Sequence, residues 1–318
     1  MAPGVDLLSR KLIFVTGKGG VGKTTVSAAL GLLGASRGLR TLVCAVDAKG
    51  NLAEFLESGP IAFTERRVAP RLWAMAMDTE ASLRQYLSLQ LKIPFVTRVG
   101  PLAHALDFVA VAAPGVKEIV TVGKLCWEVR ERHYDLVVVD APATGHVVGH
   151  LAAPQAINSL VGVGLVRQQT DWMTAMLSDP ATTGVVIVAA PAEMPVTETV
   201  DLAERLKRET EVELAAVVVN RVLPELFGRG EEELFERLSG AEAMGALEAD
   251  LHASAEPLFE AARLMVTMRR SRTEHLESLR AQIPAQTPIL YLPYLFFRSH
   301  GLRASRQVAD ALSAELGY

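Results

Sequence analysis

The stretch Gly17-Lys18-Gly19-Gly20-Val21-Gly22-Lys23-Thr24-Thr25 decides how this chain is read. It follows a short apolar run, residues 11–16, and opens a segment, 24–37, whose apolar spacing predicts a helix. A glycine-rich turn between strand and helix satisfies G-x-x-x-x-G-K-[ST] in the context that pattern requires. Glycines let backbone N–H groups turn inward on phosphate oxygens, and the helix N-terminus adds partial positive charge. Gly19, Gly20, Val21, Gly22 and Thr25 are therefore expected to wrap a phosphate chain. Lys23 would reach its terminal phosphates, and Thr24 would offer its hydroxyl to Mg²⁺.

The same residues also satisfy G-x-G-x-x-G, through Gly17, Gly19 and Gly22. Asp47 closes the second apolar run, where a dinucleotide-binding fold places its ribose-binding acid. On the loop alone that alternative stays open. Lys23 and Thr24 weigh against it, because an ammonium and a hydroxyl at this spacing suit a triphosphate with Mg²⁺. Asp140 weighs the same way: it ends the run 136–140 as a strand-terminal acid able to act at Mg²⁺ through water.

Outward from the loop, apolar runs recur at 41–47, 72–78, 135–140, 184–190, 214–220 and 288–293. Several are continuous rather than alternating, Leu136-Val137-Val138-Val139 among them, which marks strands buried on both faces of a parallel sheet. Helical patterns lie between them, at 79–92, 116–133, 196–209, 251–282 and 303–316. The expected fold is α/β: a doubly wound, mainly parallel sheet of about seven strands forming one domain over residues 1–318. Helical insertions are expected at about 83–133 and 155–180, and 231–282 reads as a charged surface helix.

Composition narrows the class. The chain has 318 residues, is 50% hydrophobic and carries 36 acidic against 32 basic residues, a formal charge of −4. That balance lacks the basic footprint of a nucleic-acid binder, so no direct nucleic-acid contact is expected. The mean hydropathy, +0.24, raises the question of a membrane span. The longest charge-free run, 141–166, is interrupted by Pro142, Gly145, Pro154, Gln155 and Asn158, and reads as buried helix and loop. An integral membrane protein is not expected. Two cysteines cannot form a disulfide framework, and no basic, apolar leader opens the chain, so a cytoplasmic location is expected.

Lys18 narrows the reading further. A second lysine at the start of the loop resembles the deviant phosphate-loop ATPases. That set includes the arsenite-pump ATPase, the tail-anchored-protein targeting ATPase, the division-site and partition ATPases and the nitrogenase iron protein. Within it the chain looks most like the arsenite-pump and tail-anchored-targeting branch. Val139-Asp140-Ala141-Pro142-Ala143-Thr144-Gly145-His146 resembles that branch's second switch, and Asp47-Ala48-Lys49-Gly50-Asn51-Leu52 its first, without the usual proline and histidine. Val219-Asn220-Arg221 resembles its adenine-reading segment, and Leu292-Pro293-Tyr294-Leu295 the loop that closes over the base.

The resemblance implies an ATP hydrolase with ATP and Mg²⁺ in a nucleotide-sandwich dimer, either a homodimer or a heterodimer with a related ATPase. It implies that Lys18 reaches the partner's phosphates and Asp47 polarises the attacking water. Thr24 and Asp140 would serve the metal, and Asn220 and Pro293 would flank the base. It also implies a hydrophobic or membrane-protein client. The alternative within the set is a positioning or partition switch whose output is assembly on a surface.

The departures bear on the client. Cys44 and Cys126 stand alone, so neither a cysteine-held metalloid nor a zinc-clamped dimer is expected. His146 and His150 are spaced i and i+4 with no third ligand, and His146 is assigned to the switch. Met173, Met176 and Leu177 beside Trp172, with Leu102, Leu106, Phe108 and Val109, give two apolar stretches. Packing against each other or a second subunit is the preferred reading of them, and client capture the other.

Overall fold

The computed structural model describes residues 6–46, 52–91, 115–225, 227–295 and 301–318. Eight strands form one sheet in the order β3-β4-β2-β5-β1-β6-β7-β8. They are β1 Leu12–Gly17, β2 Thr41–Ala45, β3 Arg66–Ala69, β4 Leu72–Ala76, β5 Leu136–Asp140, β6 Thr183–Ala189, β7 Leu214–Val222 and β8 Ile289–Pro293. All neighbours are parallel except the β3–β4 pair at one edge. Seven of these strands match the apolar runs. The eighth, β3, is an edge strand that no apolar run marks. Its arginines, Arg66 and Arg67, are exposed, and Arg71 at φ 59° turns the chain back into β4.

The helices are α1 Lys23–Ser36, α2 Leu52–Phe55, α3 Thr79–Leu91, α4 Val116–Arg130, α5 Thr144–Leu160 and α6 Leu165–Ser178. They continue with α7 Glu193–Glu209, α8 Arg229–Leu238, α9 Ala241–Leu251, α10 Glu256–Gln282 and α11 Leu302–Leu316. Strand side chains alternate between two layers. Ile13 and Val15 of β1 join α1 and α11, through Leu30, Val308 and Leu312, on one face. Leu12 and Phe14 join α4 to α7, through Leu125, Val148, Leu177 and Leu202, on the other. Burial on both faces explains the continuous apolar strands.

Three details refine the reading from sequence. The pattern at 251–282 breaks at His252, whose φ of 50° ends α9 before α10 begins. The charge-free run 141–166 is mostly α5, which runs through Pro154 instead of stopping there. Its far end is not buried: Leu160 is 84% and Val163 86% exposed. By contrast Met173 and Leu177 lie in the core, with Met176 and Trp172 packed against it. Among the described residues, no helix is long and apolar enough to cross a membrane.

Candidate functional site

Strand order separates the two readings of the glycine loop. A dinucleotide-binding sheet sets its second strand beside its first. Here β5 lies between β1 and β2, with Val15 level with Asp140 and Cys44 level with Val139. The acid beside the loop is therefore Asp140, at the end of β5. The chain runs from β1 outward through β2 and β4, returns to β5, then crosses to β6. The loop thus opens at the carboxyl ends of the strands where the order reverses, the place where such sheets bind ligands.

The loop's shape depends on two glycines. Gly17 has φ 146°, and a Cβ there would sit 2.2 Å from the Val188 carbonyl oxygen of β6. Gly22 has φ 102°, and a Cβ there would sit 2.3 Å from Asn220 Nδ2. A side chain at either place would meet both left-handed strain and a neighbour. Gly22 is also the N-cap of α1, so the first N–H groups of that helix face the loop with no side-chain cap competing for them.

The loop's polar side chains are already organised. Thr24 donates its hydroxyl to Asp140 Oδ2 at 2.7 Å, and Ser27 donates to Asp140 Oδ1 at 3.2 Å. Asp140 is 6% exposed, and its partners hold both carboxylate oxygens beside the start of α1. Lys23 Nζ donates to the Lys18 carbonyl at 3.3 Å, which folds its stem back along the loop. Thr16 donates to the Pro142 carbonyl at 3.0 Å and ties the end of β1 to the segment after Asp140. The set of a hydroxyl, a buried carboxylate and a helix N-terminus fits Mg²⁺ with a phosphate chain. Thr24 would hold the metal directly and Asp140 through water.

Asn220 is brought to the loop by an irregularity in β7. Pairing with β8 shifts between Val219 and Val222, and Arg221 adopts φ 62°. Asn220 Nδ2 then donates to the Val21 carbonyl at 2.8 Å, and its Oδ1 accepts the Arg221 N–H at 2.9 Å. Among the described residues, one amide hydrogen and one lone pair are left over. Pro293 ends β8 exposed and level with Val222, and the next N–H, of Tyr294, donates to the Val222 carbonyl at 2.8 Å. Both residues therefore sit at the same end of the sheet as the loop. Asp47, with Ala48, Lys49, Gly50 and Asn51 of the first switch, lies outside the described residues, as do Leu102, Leu106, Phe108 and Val109.

Lys18 has a partner that reading the sequence missed. Its Nζ lies 2.5 Å from Glu198 Oε1 on α7, with side-chain exposures of 28% and 31%. The pairing spans 180 positions and depends on β6 lying beside β1, which no local pattern announces. Ser27 on Asp140 was missed as well; a hydroxyl one helical turn beyond Lys23 was the available signal.

The remaining candidates are buried rather than reactive. Burial raises the pKa of the Cys44 thiol and pushes that of Cys126 up to about 12, so neither forms a thiolate readily. His150 is buried on α5, its Nδ1 bonded to the His146 carbonyl at 2.9 Å, and burial lowers its pKa. Among the described residues, no three His, Cys, Asp or Glu side chains cluster as a metal site.

The chain is similar to known proteins. A family model for anion-transporting ATPases matches residues 10–173 and 165–240, which contain the loop, Lys18, Asp140, Glu198 and Asn220. The ATPase BagA of Mycobacterium tuberculosis is 30% identical over 225 residues, covering 67% of this chain and 66% of that protein. A putative arsenical pump-driving ATPase of Halobacterium salinarum is 26% identical over 246 residues, covering 70% of this chain and 37% of that protein. The ATPase GET3 of Podospora anserina is 28% identical over 155 residues, covering 48% and 45%. The match thus spans just under two thirds of the mycobacterial relative and less of the other two. With the family model matched over most of its length, the chain belongs to the anion-transporting ATPase family.

Proposed function

We propose that the protein is a Mg²⁺-dependent ATP hydrolase that couples the opening and closing of a dimer to the handling of a client. The observation that carries this reading is the contact of Thr24 with buried Asp140 at the head of α1, directly beside a loop bearing Lys18 and Lys23. Backbone N–H groups of the loop bind the phosphate chain, and Lys23 balances its terminal charge. Asp140 orients the Thr24 hydroxyl and a water. Mg²⁺ held by Thr24 and, through water, by Asp140 would supply positive charge against the phosphate chain.

Asp47 accepts a hydrogen bond from the attacking water. As that water's oxygen bonds to the γ-phosphorus, the bond to the ADP oxygen breaks, its electron pair leaves with ADP, and one water proton passes to an oxygen of the phosphate product. Lys18 of one subunit stabilises the charge on the partner's phosphates. Asn220, with one amide hydrogen and one lone pair unused among the described residues, and Pro293, at the same sheet end, flank the base.

The other reading, a positioning switch assembling on a membrane or on DNA, has less support. Ala304, Val308, Leu312 and Leu316 of α11 are buried in the core, so that helix has no apolar face to offer a bilayer. The family match, with relatives named as an arsenical pump-driving ATPase and ATPase GET3, favours the arsenite-pump and targeting branch over a partition switch. The test is sedimentation of the protein with ATP and Mg²⁺, alone and as Lys18→Ala. Nucleotide-dependent dimers, with Lys18→Ala binding ATP but hydrolysing it slowly, are expected. Wild-type turnover in Lys18→Ala would overturn the role of Lys18 across the dimer.

A further inference from the structure

We infer that Glu198 is a positioning residue that holds Lys18 within its own chain and releases it when the dimer closes on ATP. This rests on the reading of Lys18 as the lysine that acts on the partner's phosphates. A lysine that crosses a dimer needs a place to reside before the partner arrives. The structure supplies one: Lys18 Nζ lies 2.5 Å from Glu198 Oε1, with about 70% of each side chain covered.

Both ends of this contact are fixed by rigid elements. Lys18 follows β1 directly, and its carbonyl accepts from Lys23. Glu198 sits in the second turn of α7, a 17-residue helix that follows β6, and β6 pairs with β1 along the whole of that strand. On the same turns, Val196, Thr199 and Leu202 are buried at 4% or less, so the helix cannot roll to carry Glu198 away. The lysine must therefore leave the carboxylate, and the ion pair stands as a cost to closure. The exchange is of one anionic partner for another, carboxylate for phosphate.

Partly covered ion pairs contribute up to about 1 kcal/mol, and release from such a pair corresponds to a roughly two- to fivefold change in rate. Glu198→Gln is thus expected to raise kcat for ATP by roughly two- to fivefold, with KM unchanged, because ATP binding does not involve the pair. Glu198→Asp keeps the charge and should restore the wild-type rate. It also serves if Glu198→Gln folds poorly. In a Lys18→Ala background, Glu198→Gln should change neither kcat nor ATP-driven association.

Phosphate release and sedimentation on the full chain read the wild type and the four variants. An unchanged or lower kcat in Glu198→Gln, or an equal rise in the Lys18→Ala background, would overturn the proposal. Wild-type turnover in Lys18→Ala alone would instead overturn the underlying reading of Lys18. The two failures are therefore distinct.

Discussion

Replacing Gly22 by alanine should damage nucleotide binding by an amount that the structure bounds. Gly22 has φ 102°, and an L-residue in the left-handed region costs about 1–2 kcal/mol. The added Cβ would also lie 2.3 Å from Asn220 Nδ2, so the carboxamide must swing aside. Its 2.8 Å bond to the Val21 carbonyl is then lost, at about 0.5–1.5 kcal/mol. Together these give about 1.5–3.5 kcal/mol, or roughly 10- to 400-fold weaker ATP binding if the loop is bound in its present shape. Titration calorimetry with ATP and Mg²⁺ measures this directly.

Two further variants assign the cause. Adding Asn220→Ala removes the collision but not the backbone strain, so the double variant should show less than the sum of the two single losses. Gly19→Ala meets nothing within 4 Å and should melt as the wild type does. If Gly22→Ala bound ATP within about threefold of wild type and melted normally, the loop geometry argued above would be wrong.

Other predictions follow from the same contacts. Asp140→Asn keeps the size but removes the charge that Thr24 and Ser27 address. ATP turnover should fall by at least about tenfold, with a raised Mg²⁺ requirement in a metal titration. Leu312→Ala on α11, where Leu312 is fully buried, should cost about 2–5 kcal/mol in denaturant unfolding, the value for a core residue and not for a free helix. Burial lowers the pKa of His150 below its ordinary 6.5, so the unfolded chain binds a proton first as the pH falls. Stability from this site is complete above pH 6.5 and declines below it, down through the lower native pKa. His150→Gln should flatten that part of the stability–pH curve.

The parts of the fold legible in sequence were those with a strong local cause. Runs such as Leu136–Asp140 read as buried parallel strands because both of their faces are covered. The glycine loop read as a phosphate site because strand, turn and helix are contiguous. β3 escaped notice because an edge strand with exposed Arg66 and Arg67 needs no apolar alternation. The exposed Leu160 and Val163 were misread because an apolar run says nothing about which of its residues turn outward at a helix end.

Within the site, the choice between dinucleotide and triphosphate was weighted by Lys23 and Thr24, but only strand order separates them, since it places Asp140 and not the second strand beside β1. Asn220 was recognisable by its position at a strand end. Its contact with Val21 depends on the shifted pairing of β7 with β8, which is a property of two strands together. The pairing of Lys18 with Glu198 is likewise tertiary: it exists because β6 follows β5 in the chain yet lies across β1 from it.

The most direct test of the central claim is phosphate release from ATP by the purified chain and by Lys23→Ala, with Mg²⁺ and with a chelator. The site described here predicts turnover that requires Mg²⁺ and falls by at least about a hundredfold in Lys23→Ala. Metal-independent turnover, or a Lys23→Ala protein that hydrolyses ATP at the wild-type rate, would contradict it.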